Sequence, residues 1–291
     1  MTTVVGFVGL GNIGGPMALR LARQQQDADL EVWVYDVAPE PLAQAEAAGA
    51  RIASGVAAMA ARCDVLCVMV RDDAQVRDVM GEVLGVAGDR LTVVVHSTVA
   101  VATPVELADT AARHGVRLVD APVSGGAMGA ADGTLALMVG GAPEAYAAAE
   151  PVLRVLGTKV VHAGPIGAGT KFKLARNLMH FTAFTAATEA QRLAEAAGLD
   201  LRALGEVVRH TDAVTGGPGA IMHRETTAPL APDDFWHGVF THVVDLGRKD
   251  LGFAIELAHQ LGVDVPLAEL AYDRLGPGLG LSPTSPSEEV S

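Results

Sequence analysis

Three glycines near the start of the chain have the spacing of a turn that binds phosphate groups. Gly9, Gly11 and Gly14 follow the apolar run 4–8 and open the helical segment 14–25. In such a strand–turn–helix unit the first glycine permits the tight turn, the second lets the backbone approach a pyrophosphate, and the third lets the helix pack on the strand. The free N–H groups of the helix N-terminus then face the anion. The predicted dinucleotide-binding residues are Gly9, Leu10, Gly11, Asn12, Ile13 and Gly14.

Asp36 ends the second apolar run of the chain, 22 residues after Gly14. A carboxylate at the end of that strand accepts hydrogen bonds from the ribose hydroxyls of an adenosine and repels a 2′-phosphate. We therefore expect Asp36 to bind the cofactor and to favour NAD over NADP. The alternative interpretation of Asp36 is a solvated turn residue.

Ser124, Gly125 and Gly126 lie in a second glycine-rich run, residues 120–127, which follows a predicted strand. Successive glycines expose backbone N–H groups, and with a serine hydroxyl these can form a concave site for a carboxylate. A plain loop between two strands is the alternative interpretation.

Lys173 and Asn177 are four residues apart on the predicted long helix 170–197, just after the glycine-rich hinge 163–169. Residues at this spacing share a helix face. A lysine near a helix start meets the positive end of the helix dipole, and partial burial would lower its pKa further, which suits proton transfer. Lys171 is a competing candidate, and an ordinary solvated lysine is the alternative.

Strands and helices must hold these residues in place, and the first half of the chain alternates the two. Apolar β-branched runs alternate with alanine-rich helical segments, a pattern typical of a parallel sheet covered on both faces. The predicted strands cover residues 4–8, 31–35, 65–70, 92–96 and 117–120. Thr103 before Pro104, with Glu106 three residues after Thr103, predicts a capping box at the start of one crossover helix.

Beyond residue 165 the pattern is almost entirely helical. The predicted fold class is α/β, with an N-terminal doubly wound, Rossmann-type, mostly parallel sheet and a C-terminal all-helical domain. We expect a cofactor-binding domain at 1–165 and a helical domain for substrate binding and dimerisation at 166–280, joined by a long inter-domain helix. The last residues, 281–291, are expected to form a flexible tail.

Composition excludes several classes of partner. With 21 basic and 34 acidic residues the net charge is −13, so the chain has no overall attraction for nucleic acid or an anionic membrane. No run of 18 uncharged apolar residues occurs, and Cys63 and Cys67 cannot complete a four-ligand zinc site. We expect a cytoplasmic protein without metal, nucleic acid or membrane partners.

At these residues the chain resembles the β-hydroxyacid dehydrogenase family, which includes 3-hydroxyisobutyrate dehydrogenase and tartronate semialdehyde reductase. Four blocks match in order, from the glycine-rich turn to a late Lys-Asp motif. They are residues 6–18, 120–126, 167–177 and 245–251. The resemblance implies an NAD-dependent oxidoreductase that transfers a hydride between the cofactor and a small 3-hydroxy acid, or reduces the corresponding semialdehyde.

The resemblance also implies a role for each matched residue. Lys173 would be the catalytic lysine. Four residues would hold the small carboxylate substrate: Ser124, Gly125, Gly126 and Asn177. Three further residues would contact the cofactor: Val70, Thr98 and Lys249. Family members are usually dimers or tetramers, so a homodimer or homotetramer is expected.

His242 and its surroundings and two further positions depart from the family pattern, and these departures bear on substrate choice. Arg176 stands in place of the first of two adjacent asparagines, and Val95 stands where an acid often precedes the Ser-Thr pair. The alternative functions are an imine reductase, which usually lacks the lysine, and an NADP-dependent semialdehyde or glyoxylate reductase. A non-catalytic dinucleotide-binding module is the remaining alternative.

Overall fold

The computed structural model describes residues 2–86, 88 and 90–281. The chain divides into two compact units, Met1–Arg176 and Asn177–Ser291. This division falls within a long helix, later in the chain than the predicted domain boundary at residue 165. The predicted tail, 281–291, lies outside the described residues except for Leu281.

One sheet runs through the first unit and comprises nine strands among the described residues. The strands are β1 (Thr3–Val8), β2 (Leu30–Tyr35), β3 (Arg51–Ile52), β4 (Val65–Val68), β5 (Thr92–Val95), β6 (Arg117–Asp120), β7 (Val123–Ser124), β8 (Ala136–Gly140) and β9 (Lys159–Gly164). Their spatial order is β3-β2-β1-β4-β5-β6-β8-β7, with β9 beside β8. Neighbours from β3 to β6 are parallel, whereas β8 is antiparallel to β6 and β7.

The strand order predicts a ligand site at the carboxyl ends of β1 and β4. The chain winds outward from β1 in one direction and from β4 in the other, so the loops that follow these two strands diverge. In open α/β sheets ligands bind in the crevice that this reversal leaves at the carboxyl ends of the strands. The glycine-rich turn follows β1 directly.

Helices pack on the sheet of the first unit. They are α1 (Gly14–Arg23), α2 (Pro39–Ala47), α3 (Val56–Ala60), α4 (Asp73–Leu84), α5 (Ala102–Arg113), α6 (Gly126–Asp132) and α7 (Pro143–Leu156). Alternate residues of one strand enter different cores: Cys67 packs with Met17 in one buried cluster, and Leu66 with Met80 in the other. All four residues of β4 are buried. Burial on both faces is the reason that these strands have continuous apolar sequences.

The second unit is helical in its described part. Its helices are the continuation of α8 (Ala168–Ala196), then α9 (Leu201–Thr215), α10 (Phe235–Gln260) and α11 (Pro266–Gly278). A small core contains Leu230, Phe240, Val244 and Leu279. The predicted fold class, a doubly wound sheet followed by helices, is confirmed. None of the described helices combines the length and apolar character needed to cross a membrane.

Candidate active site

The turn after β1 has the geometry that phosphate binding requires. Gly9 has φ +91°, and a Cβ there would overlap the carbonyl oxygen of Met69. A Cβ at Gly14 would overlap the carbonyl oxygen of Gly9, because α1 begins directly against the turn. Gly11 differs, since a Cβ at this position would meet no atom within 4 Å. The missing side chain of Gly11 therefore leaves open space through which a phosphate could reach the backbone.

Asp36 braces this turn with its carboxylate. Its Oδ2 accepts a hydrogen bond from the backbone N–H of Leu10 at 2.5 Å, and its Oδ1 accepts one from Ala38 at 2.8 Å. A carboxylate oxygen accepts more than one hydrogen bond, so each retains capacity for a ribose hydroxyl. The turn and Asp36 together fit the pyrophosphate and ribose of a dinucleotide.

A cleft of 390 Å³ lies beside the turn, at the edge of the sheet beyond β1 and β4. Four of the predicted cofactor residues line it and are thus brought together: Gly9, Gly11, Asp36 and Val70. A larger cavity of 800 Å³ is lined by residues of α5, β6, α7 and β9, and it contains none of the predicted site residues. The smaller cleft is therefore the candidate cofactor site.

Sequence reasoning missed the wall that α4 contributes to this cleft. The residues of that wall are Gln75, Asp78, Val79 and Glu82. Their i, i+3, i+4, i+7 spacing marks one face of a helix. That spacing, on the helix that follows β4, is the sequence pattern that could have predicted this wall of the cleft.

Val70, two residues after β4, is held in place by Ser97. The hydroxyl of Ser97 donates to the carbonyl of Val70 at 2.7 Å and accepts from its N–H at 2.9 Å. Ser97 is buried, whereas the adjacent Thr98 is exposed. Within the Ser-Thr pair, Ser97 therefore orders the backbone of Val70 and only Thr98 is accessible to a ligand.

His96 lies in the same region but is enclosed by the core. Its Nδ1 is 2.8 Å from the carbonyl oxygen of Ala121, and because a carbonyl only accepts, Nδ1 carries the proton. Burial lowers the pKa of His96 to about 4, partly opposed by the hydrogen bond to Ala121. The ring is neutral at pH 7 and serves to link the end of β5 to the run that begins at Asp120.

Lys173 lies in the second turn of α8 and is 8 % exposed. Desolvation lowers the pKa of its ammonium, and the charge of Arg176 lowers it further. The competing candidate Lys171 is exposed. Of the two lysines, Lys173 is therefore the one whose buried environment favours the free amine, the form that accepts a proton.

Asp120 ends β6 and is fully buried against the start of α8. Its Oδ1 accepts from the N–H of Gly167 at 2.7 Å, and its Oδ2 accepts from the N–H and hydroxyl of Thr170 at 2.6 and 2.8 Å. Burial raises the pKa of Asp120, and these donors act in the opposite direction. Sequence reasoning placed Asp120 in the glycine-rich run but assigned it no role.

The run after Asp120 has the backbone expected of an anion-binding loop. Ser124 ends β7 and pairs with Ala136 of β8. Gly125 and Gly126 have φ values of +137° and +66°, a region that favours glycine. A Cβ at Gly126 would meet no atom within 4 Å, so the backbone there is open to a ligand.

Asn177 and Lys249 belong to the second unit. Asn177 follows Lys173 by four residues within the continuous helix α8. Lys249 lies in α10, is exposed, and pairs with Asp250 at 3.0 Å. Their assignment to substrate and cofactor stays a prediction.

Comparison with known proteins identifies both parts of the chain. Residues 4–164 match the family described as the NAD-binding domain of 6-phosphogluconate dehydrogenase, and residues 167–275 match the one described as NAD-binding of NADP-dependent 3-hydroxyisobutyrate dehydrogenase. The 3-hydroxyisobutyrate dehydrogenase of Pseudomonas aeruginosa is 35 % identical over 92 % of this chain and 90 % of its own.

Solved structures agree with this match. An oxidoreductase of Mycobacterium avium is 49 % identical, with a TM-score of 0.91 over 95 % of this chain and 98 % of its own. The 3-hydroxyisobutyrate dehydrogenase of Mycobacterium tuberculosis, solved with L-serine, is 32 % identical, with a TM-score of 0.65 over 97 % of both chains. An imine reductase of Myxococcus stipitatus is 19 % identical and shares the fold alone. The chain therefore belongs to the β-hydroxyacid dehydrogenase family of oxidoreductases.

Proposed function

We propose that this protein transfers a hydride between NAD and a small 3-hydroxy acid, or reduces the corresponding semialdehyde. The observation that carries the proposal is Lys173, a buried lysine with a lowered pKa, in a chain that also has a candidate cofactor cleft beside its glycine-rich turn. Asp120 at the carboxyl end of β6 holds the helix that carries this lysine. The cleft lies beyond the carboxyl ends of β1 and β4, which run parallel to β6 in the same sheet.

Lys173 supplies the proton transfer that the reaction needs. When bound, NAD⁺ would accept the hydride at its nicotinamide ring, and NADH would supply it in the reverse direction. A lysine with a lowered pKa has a larger fraction of free amine at neutral pH, so it can take the proton from the substrate hydroxyl as the carbinol hydrogen leaves as hydride. In the reverse direction the ammonium returns this proton to the carbonyl oxygen.

The remaining predicted residues orient the substrate. The hydroxyl of Ser124 and the backbone N–H groups of Gly125 and Gly126 would bind its carboxylate, and Asn177 would hold the reacting end. Fixing a small acid at both ends reduces its freedom before reaction, which contributes to the rate. Lys249 is a further proposed cofactor residue.

The charges around the cleft favour NAD. Asp36, Asp78 and Glu82 line it together with one cation, Arg71, whose Nε lies 3.4 Å from a carboxylate oxygen of Asp72. A 2′-phosphate would bring two further negative charges next to these carboxylates. The alternative, an NADP-dependent semialdehyde or glyoxylate reductase, would require Arg71 to turn towards that phosphate.

Substitution of the lysine tests the proposal. Lys173→Ala should lower kcat at least about 100-fold, because a positioned acid–base group contributes on the order of 10²–10⁴ in rate, and NADH should still bind. The exposed Lys171→Ala is the matched control and should keep near wild-type turnover. NADH binding is followed by fluorescence titration. Near wild-type turnover of Lys173→Ala would overturn the assignment.

The same assay, run as a panel, identifies substrate and cofactor. The wild-type protein is tested with 3-hydroxyisobutyrate, serine, tartronate semialdehyde, succinic semialdehyde and glyoxylate, each with NAD and NADP, at the nicotinamide absorbance. L-Serine is included because it is present in the solved Mycobacterium tuberculosis relative. Activity with NADP alone would contradict the argument from Asp36. Turnover of cyclic imines without hydroxy-acid activity would support an imine reductase instead, and NAD binding without any turnover would support a non-catalytic module.

We also propose that the protein forms a homodimer or homotetramer through its helical part, with the cofactor bound by residues 1–165 and the oligomer contacts made within 166–280. Phe181 and Phe184 of α8 are 59 % and 55 % exposed in the single chain. No residue of α9 is buried, and its apolar side chains Val207 and Val208 are exposed. A face of this kind on a folded protein is typical of a subunit interface.

A further inference from the structure

We propose that Asp120 is a positioning residue. It holds α8, the helix that carries Lys173, in a fixed position against the end of β6, where the glycine-rich run 120–127 begins. The inference rests on the proposed function of Lys173. Asp120 is 47 residues from Gly167 in sequence, and its hydrogen bonds to Gly167 and Thr170 join the end of β6 to the start of α8.

The hydrogen-bonding pattern requires a carboxylate at this position. All three partners are donors: the N–H of Gly167, the N–H of Thr170 and the hydroxyl of Thr170. An ionised aspartate is acceptor-only and satisfies all of them, whereas an asparagine amide would point an N–H₂ group at one of the backbone N–H groups. A buried donor without an acceptor costs about 1–3 kcal/mol. The negative charge also lies at the positive end of the α8 dipole.

The backbone at the start of α8 lies very close to the backbone of the sheet. A Cβ at Gly140 would overlap Oδ1 of Asp120, and it would lie 2.8 Å from the backbone nitrogens of Ala168 and Gly169. A Cβ at Gly169 would in turn overlap the carbonyl oxygen of Met138. The start of α8 therefore rests directly on the backbone of β8, and the carboxylate of Asp120 sets its register.

Asp120 is connected both to Lys173, through Thr170, and to Ser124, through the chain that follows β6. Lys173 follows Thr170 by three residues, or about one helical turn, so a shift of the first turn of α8 moves the lysine with it. Ser124 follows Asp120 by four residues, and both residues pair with β8, Asp120 with Gly140 and Ser124 with Ala136. A misplacement of about 1 Å between the two groups can cost on the order of 10²-fold in rate.

The test compares substitutions on each side of the interaction. Asp120→Asn keeps the shape and removes the acceptor pattern, and Thr170→Val removes the hydroxyl donor alone. We expect kcat to fall about 10- to 100-fold in Asp120→Asn and less in Thr170→Val, with the KM for NAD little changed. Thr170→Ser, which keeps the hydroxyl, should restore kcat. A merely structural role would not separate kcat from the cofactor KM in this way.

A second readout does not depend on turnover. The pH dependence of Lys173 modification by an amine-acylating reagent, quantified by mass spectrometry, gives the apparent pKa of this amine in each variant. Displacement of α8 should hydrate Lys173, so Asp120→Asn should raise this pKa towards that of an ordinary lysine. Asp64→Asn is the matched control, because Asp64 also accepts a backbone N–H, from Val4 at 3.0 Å, but lies at the amino end of β4 on the opposite edge of the sheet.

The outcomes separate this inference from the proposed function. If Lys173→Ala is inactive but Asp120→Asn keeps both wild-type kcat and wild-type Lys173 modification, the positioning role is wrong and the proposed function stands. If the wild-type protein turns over none of the hydroxy acids or semialdehydes, the proposed function fails. Unchanged modification of Lys173 in Asp120→Asn would overturn the inference separately. Should Asp120→Asn not fold, Thr170→Val against Thr170→Ser decides the question by the same two measurements.

Discussion

His96 shows how one buried side chain can couple the stability of the first unit to pH. The ring lies 6.3 Å from that of Phe7 in a stacked arrangement, and its Nδ1 donates to Ala121. Its Nε2 is buried and has no hydrogen-bond partner among the described residues. A charge on this ring would therefore be stabilised by neither water nor an anion, which is why burial lowers the pKa of His96 to about 4.

The lowered pKa of His96 makes the folded protein less stable as the pH falls. The unfolded chain takes up the proton at about pH 6.5, whereas the folded protein does so only at about pH 4. Between these values the unfolded state binds more protons, so the free energy of unfolding should fall by about 3 kcal/mol as the pH drops from 6.5 to 4. His96→Gln keeps a donor for Ala121 and removes the titration, and it should flatten the curve by this amount. Urea unfolding from pH 4 to 7.5 measures both, and parallel curves would show the argument to be wrong.

At the scale of elements, Glu189 ties α8 to α11 inside the second unit. It is 5 % exposed, and its two carboxylate oxygens accept from the N–H groups of Leu267 at 2.9 Å and Ala268 at 3.0 Å. The first N–H groups of a helix have no partner within the helix, and α11 has no side-chain cap at Val265. A glutamate 78 residues earlier therefore caps α11.

Removing this acceptor should destabilise the helical unit. Glu189→Gln turns an N–H₂ group towards one of the two backbone donors, and we expect the free energy of unfolding to fall by about 2 kcal/mol. Glu195→Gln, at an exposed position of the same helix, should change it by less than about 0.5 kcal/mol. Guanidinium unfolding followed by circular dichroism compares the two variants. Equal stability of both variants would mean that the contact contributes nothing.

The start of α5 shows where local patterns fail at this scale. The predicted capping box of Thr103 and Glu106 is wrong, because α5 begins at Ala102 without a side-chain cap. The hydroxyl of Thr103 donates to Asp73 instead, and Glu106 pairs with Arg77 at 2.8 Å. Asp73 and Arg77 of α4 therefore bind the two side chains that the local capping pattern assigned to the start of α5.

For the whole molecule, the exposed aromatic face of α8 leads to a prediction about assembly. A single chain has a mass of 29.9 kDa, and we expect light scattering at micromolar concentration to give two or four times this value. Phe181→Glu with Phe184→Glu should shift the protein towards the monomer, because burying two carboxylates in an apolar contact is costly. Phe181→Leu with Phe184→Leu retains apolar surface and should stay assembled. A wild-type mass of one chain would rule out the proposed oligomer.

Much of the architecture was predictable because its signals are local. The glycine spacing before α1 and the apolar runs of β1, β2, β4, β5 and β6 each reflect short-range geometry. The additional strands β3, β7, β8 and β9 were missed. β3 and β7 have two residues each, too few to show a period. β8 follows a glycine-rich segment and β9 leads into another, and such segments resemble loops.

The sequence by itself determined the fold class, the family and the place of the dinucleotide turn, since all three depend on residue types at fixed short spacings. Only the tertiary structure decided which polar groups act together. It showed that Lys173 rather than Lys171 is buried, that Asp120 holds α8, and that Glu189 caps α11. These contacts join residues 47 to 79 positions apart, and no local pattern records them, because a hydrogen bond depends on where folding brings two groups rather than on their distance along the chain.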